Sequence, residues 1–209
     1  VTLGGAVSGI MVNATAGNAN AIIAVSVDGG MPTTYTGTAS HNVIPTPGAT
    51  RVVTVQVSSE CGTPSPTSYT LNIYQCSDNV NLASLSTSAG AWMPAGYDPG
   101  TTAYNVELPG GVASLTVDAS AEFYNAGLTI TVDGAPYNYT EMASQPVTPV
   151  PGGTVVVTVQ VTSECGTPGT LYTLNIHQCS DDYSLTGLST SDGVWAPAAS
   201  WSCLFARVS

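Results

Sequence analysis

Five cysteines and two histidines carry the most specific chemistry in this chain, and their spacing limits what they can do. Cys61 and Cys165 each sit in a Ser-Glu-Cys-Gly-Thr-Pro stretch. Cys76 and Cys179 each lie between Gln and Ser-Asp, and Cys203 stands apart. His177, two residues before Cys179, offers a thiol–imidazole pair of the kind used in nucleophilic catalysis. The same place beside Cys76 holds Tyr74, so the position does not require imidazole and reads as a structural strand residue. His41 has no repeated acid or nucleophile near it in sequence. Ser-Glu-Cys-Gly occurs twice, which suits a structural turn better than a unique active site. No Gly-x-Ser-x-Gly, phosphate loop or zinc cluster is present. Neither catalysis nor a cofactor is expected.

The duplicated cysteines belong to a longer repeat. The stretch Val53–Pro64 recurs as Val157–Pro168, Tyr69–Asp78 as Tyr172–Asp181, and Leu85–Ala95 as Leu188–Ala198. The offsets are 104, 103 and 103, so the period is about 104 residues. Each repeat reads as β-structure: Val155–Val161 and Tyr172–Ile176 alternate with period two and are rich in β-branched and aromatic residues. Gly and Pro punctuate the runs at Pro109-Gly110-Gly111, Asp133-Gly134 and Pro151-Gly152-Gly153. The expected fold class is all-β: tandem immunoglobulin-like sandwiches of seven or so short strands each.

Leu82, Leu85, Ser88, Gly90, Pro94, Tyr97, Pro99, Tyr104 and Val106 resemble the opening of the cadherin-like β-sandwich repeats of microbial and algal cell-surface proteins. Tyr172, Leu174 and Ile176 resemble that family's last strand. The usual acidic-Gly turn of the last hairpin is here Glu164-Cys165-Gly166, and Glu60-Cys61-Gly62 in the other repeat. The resemblance implies a β-sandwich in an extracellular or surface setting. True cadherins bind calcium between domains. Here the junction acids Asp78, Asp181, Asp182, Glu60 and Glu164 supply few of the six to eight oxygens calcium needs, so a solvated linker is the expectation and calcium the lesser alternative.

The phase of the repeats bears on function. Leu3 aligns with Leu108, so nothing in residues 1–79 corresponds to residues 82–107, the opening two strands of the complete repeat. The expected domains are 1–79, a sandwich lacking those strands; 80–181, a complete sandwich; and 182–209, the opening of a third repeat. A sandwich without its first strands has an open edge and an uncovered core. Either the segment around Leu185, Leu188 and Trp195 completes the first sandwich of the next copy, by donor-strand complementation, or the chain is a window of a longer array. An irregular first domain is a third option. Ala199–Ser209 departs from its counterpart, so a specialised terminus or a doubtful sequence there also stays open.

The repeats constrain the cysteines as well. Local pairing, Cys61 with Cys76 and Cys165 with Cys179, would span about seven extended residues, roughly 23 Å. A disulfide needs Cα atoms within about 7 Å. In a head-to-tail array, Cys76 instead meets Cys165 at the junction between repeats. By translation, Cys179 meets Cys61 of the next copy. Pairing at the junctions is the favoured arrangement, with local or other pairing as alternatives and no partner assigned to Cys203.

Composition narrows the function classes. Two arginines, Arg51 and Arg207, and no lysine stand against thirteen acids, for a net charge of −11. Two cations cannot neutralise a nucleic-acid backbone or dock on an anionic membrane. No apolar run reaches the roughly 18 residues of a membrane span. With 7% charged residues, solubility must come from glycans or from burial in an assembly. Asn13 and Asn138 begin Asn-x-Thr glycosylation acceptors, and Pro45-Thr46-Pro47 and Ser65-Pro66 resemble modified sites of algal surface proteins or ordinary turns. Trp92 and Trp195, each in Gly-x-Trp-x-Pro, suit packing better than sugar stacking. The sequence therefore predicts a structural subunit of an extracellular filament, appendage or surface array. Its partner is itself, head to tail, with covalent glycans. The rivals are an adhesin stalk or carbohydrate-binding module, and a noncatalytic accessory domain of a secreted hydrolase.

Overall fold

The computed structural model describes residues 1–189 and 191, apart from the side chains at 64–67, and every regular element among them is a strand. The first unit holds β1 (Thr2–Leu3), β2 (Ile10–Thr15), β3 (Ile22–Val27), β4 (Thr33–Thr36), β5 (Thr38–Val43), β6 (Ala49–Ser58) and β7 (Pro64–Gln75). The second holds β8 (Leu82–Thr87), β9 (Ala91–Met93), β10 (Ala103–Leu108), β11 (Leu115–Ala121), β12 (Gly127–Val132), β13 (Ala135–Thr140), β14 (Met142–Val147), β15 (Thr154–Thr162) and β16 (Pro168–Gln178).

Side-chain alternation builds the two cores. On β15, Val155, Val157, Val159 and Val161 point inward; on β16, Tyr172, Leu174 and Ile176 do; on β11, Leu115, Val117, Ala119 and Ala121 do. Successive side chains of a strand face opposite sides, and each buried Val or Leu contributes about 1.5–3 kcal/mol. In the second unit the sheet β13-β12-β15-β16-β10-β9 packs against β14-β11-β8 around one core. In the first, among the described residues, β1-β7-β6-β3-β4 packs against only β2-β5.

Local chemistry repeats along with the strands. Asp28 and Asp133 open equivalent hairpin turns at φ of 51° and 45°, a region that Asp enters more readily than most residues. Their Oδ1 atoms accept the amides of Val52 (2.8 Å) and Val156 (2.9 Å). Buried Gln75 and Gln178 are equivalent too. Gln75 Nε2 donates to the carbonyls of Gly5 (2.7 Å) and Val7 (2.9 Å), and Gln178 Nε2 to that of Val112 (2.9 Å).

The strand inventory differs from the sequence expectation in one respect. The second unit has nine strands, and the stretch without a counterpart in the first unit spans three strands, β8, β9 and nearly all of β10. Residues 88–102 turn the chain back so that β9 lies antiparallel to β10, with Val106 opposite Trp92. β10 then runs parallel to β16, Leu108 beside Gln178. β1 reproduces its last two positions, Thr2 beside Tyr74 and Leu3 beside Gln75 on β7.

Candidate functional site

The two units differ most along the outer edge of β2. In the second unit, the equivalent strand β11 pairs on that side with β8, placing Leu85 opposite Ala119 and Leu82 opposite Ala121. Both leucines are 4% exposed. They join the core that holds Leu128, Val159, Val161, Tyr172 and Leu174. In the first unit, among the described residues, β2 pairs only with β5. The space that β8 would fill is a cavity of about 500 Å³ whose lining includes Ala14, Ala16, Val57, Tyr69 and Leu71. Tyr69 is 58% exposed there, whereas its repeat counterpart Tyr172 is 5% exposed. The groove thus lies where the second unit carries the leucine-bearing strand β8.

The segment whose sequence matches that strand is exposed. Leu185-Thr-Gly-Leu-Ser-Thr190 parallels Leu82-Ala-Ser-Leu-Ser-Thr87. Leu185 and Leu188 lie on the surface with no strand partner among the described residues. Trp195 and Cys203 lie outside the described residues.

The second feature is the junction between the units. Cys76, just past β7, is bonded to Cys165 in the β15–β16 turn, with Cα atoms 5.4 Å apart. Cys165 and Cys179 flank an unbroken strand, β16, and cannot meet each other. Cys61 and Cys179 are unpaired and exposed. Around the bridge, Glu164 accepts from the Tyr74 hydroxyl, the Ser77 amide (2.9 Å) and Asn125 Nδ2 (3.0 Å). Burial pushes the Glu164 carboxyl up, but the Tyr74 hydroxyl, the Ser77 amide and Asn125 outweigh it and hold the carboxyl below its ordinary value. The hydrogen bond to Glu164, and then burial, raise the Tyr74 hydroxyl in turn.

Two further contacts lock the junction. Glu122 Oε2 accepts from Asn79 (3.1 Å) and Asn81 (2.7 Å) in the linker. Phe123 stands over Gly48, where an added Cβ would lie 2.3 Å from its ring, and Tyr124 donates to the Gly48 carbonyl at 3.1 Å. The cysteine repeat pointed to this junction. Glu122, Phe123 and Tyr124 were not readable from it, because the other repeat has Gly17, Asn18 and Ala19 there.

The remaining residues singled out from the sequence are dispersed. Asn13 and Asn138 are exposed on β2 and β13. Trp92 packs, its Nε1 donating to Thr87 Oγ1 at 2.7 Å and its ring 4.9 Å from Tyr104. His41 Nδ1 is 2.9 Å from the Tyr35 hydroxyl, and His177 Nδ1 is 3.3 Å from Thr154 Oγ1. Among the described residues no three His, Cys, Asp or Glu gather as a metal site, and no helix is long and apolar enough to cross a membrane.

Residues 82–178 match the family model of the Cadherin-like beta sandwich domain. The match spans β8 to β16 of the second unit, the strands around its core. No curated protein matches the chain. Among solved structures, the chain is similar to the fibronectin(III)-like modules of Clostridium thermocellum CbhA, at 11% identity and a TM-score of 0.33, covering 90% of this chain and 94% of that one. It is also similar to Bacteroides ovatus SGBP-B from a mixed-linkage glucan utilization locus, solved with a mixed-linkage heptasaccharide. There the identity is 8%, the TM-score 0.26, and the coverage 85% of this chain and 66% of that one.

Proposed function

We propose that this chain is a noncatalytic structural subunit of an extracellular filament, appendage or surface array, joined head to tail to copies of itself. The observation that carries the reading is the groove beside β2. It is lined by the repeat counterparts of the residues that bury Leu82 and Leu85 in the second unit. The occupant is the Leu185–Thr190 segment of another copy. By the repeat register it sets Leu188 opposite Ala14 and Leu185 opposite Ala16. The exposed thiols of Cys61 and Cys179 then take the places of Cys165 and Cys76 and close a disulfide between copies. Such a contact uses two different surfaces of each subunit, so it propagates as a filament instead of closing as a dimer. The formed Cys76–Cys165 bridge supports an oxidising, extracellular setting. Exposed Asn13 and Asn138 are sites where glycans would cover a weakly charged surface. The reading needs no cofactor.

The test is negative-stain electron microscopy of native, non-reduced material, followed by peptide mapping for a Cys61–Cys179 crosslink and repetition with Leu188→Asp. Filaments that carry the crosslink and are lost in Leu188→Asp are the expected result. Dispersed single copies, or a β2 edge covered by other residues of the same polypeptide, would overturn it and favour a binding module of a larger surface protein.

A further inference from the structure

The outer poles of the two units repeat the internal junction with several substitutions, and four of these specify how copies meet. At one end, Asn20 Nδ2 donates to Glu60 Oε1 at 3.1 Å, as Asn125 does to Glu164 at 3.0 Å. At the other, the Gly152 amide donates to the Gln178 carbonyl at 2.8 Å, as the Gly48 amide does to that of Gln75 at 2.7 Å. Superposing the internal contact on these ends brings Gly17, Asn20, Glu60 and Cys61 of one copy onto His177, Cys179 and Asp182 of another. The substitutions match across the contact. Internally, Glu122 accepts from Asn79 and Asn81. At the free ends Asn79 and Asn81 become Asp182 and Ser184, and Glu122 becomes Gly17. A carboxylate kept at position 17 would face Asp182, and its removal avoids that repulsion. The remaining change puts His177 where Tyr74 donates to Glu164, facing Glu60 of the next copy.

We infer that between pH 5 and 8 the junction between copies is proton-dependent, held by His177 against Glu60 of the next copy, while the junction within each chain is indifferent to pH over that range. The inference rests on the head-to-tail reading. Imidazole titrates near neutral pH, whereas a tyrosine hydroxyl donates without change across that range. Other groups face His177 from each side. β15 presents Thr154, which is uncharged, and β10 presents the Glu107 carboxylate at the neighbouring register position. The linker beyond Cys179 carries Asp181 and Asp182, with Asp181 folded against Gly110. The next copy brings Glu60, Asn20 and Cys61. Assembly therefore adds one carboxylate to the surroundings of the imidazole and favours its protonated form. The contribution is present below about pH 6 and fades as pH rises toward 8.

The experiment is sedimentation of the full chain carrying Cys61→Ser, Cys179→Ser and Cys203→Ser, so that association is reversible, at pH 5.5 and pH 8. It is repeated with His177→Tyr added. Acidification also reduces the net charge of −11, and this acts on both proteins, so the readout is the ratio between them. The expected result is association about three- to tenfold tighter at pH 5.5 than at pH 8, beyond the change shown by His177→Tyr, for a shift of up to one unit in one group. Association of the same pH dependence in both proteins would overturn the histidine junction and leave head-to-tail assembly standing. No association of either protein at either pH would overturn the head-to-tail reading, and this inference with it.

Discussion

Glu164 concentrates the junction in one side chain. Three donors from two units converge on its carboxylate, which lowers its affinity for protons although burial acts the other way. A carboxyl whose native value lies below its unfolded one adds stability above the unfolded value, about pH 4.3 for glutamate. That contribution is lost as pH falls through the lower native value. Between neutrality and pH 5 the junction should be indifferent to pH, and below that it should loosen. Tyr74→Phe removes the leading attractive donor while keeping the ring. The expected outcome is an upward move of the Glu164 titration, read from its side-chain carbon signal by NMR, with a lower midpoint in urea unfolding. An unmoved Glu164 titration would mean that Ser77 and Asn125 alone hold the carboxylate.

At the scale of strands, the leucines of two hexapeptides that share four of six residues have opposite surroundings. Leu85 on β8 is buried in the second core, while Leu188 is exposed. Leu85→Ala should cost about 2–4 kcal/mol, the usual price of a core Leu→Ala. Leu188→Ala should leave the stability of the isolated chain within about 0.5 kcal/mol. Chemical denaturation of the two variants, kept dilute enough to stay monomeric, separates these outcomes. A large loss in Leu188→Ala would mean that the segment already packs within its own chain, which would remove it as a donor. This asymmetry was legible in the sequence because a 104-residue repeat fixes the phase of every strand, and the residues lining the groove follow from it. The same repeat concealed the extra strands. β9 is three residues long, too short to show an alternation, and it is defined by its pairing with β10. The junction was legible only where it repeats. Glu164 and the cysteines recur at period, but Glu122 and the Phe123–Gly48 contact have no second copy to mark them.

For the molecule as a whole, the disulfide sets the path of mechanical load. Cys76 and Cys165 are 89 residues apart in sequence and directly bonded, so tension passing through them bypasses β8 to β15 altogether. Between Cys61 and Cys179 the covalent line is β7, the bridge and β16. These two strands, of 12 and 11 residues, are already extended. If copies join through Cys179 and Cys61, this line continues unbroken, and the two sandwiches serve as side supports that need not unfold when the line is stretched. The single chain can test this, because the exposed thiols of Cys61 and Cys179 serve as thioether handles in an optical trap. With the bridge intact, full stretching should release only tens of Å, because about 30 residues at roughly 3.6 Å each lie in the path and most are extended from the start. After reduction the path lengthens to about 120 residues, and rupture of the second unit should release on the order of 300 Å more. Equal extensions before and after reduction would mean that the Cys76–Cys165 bond does not carry the load.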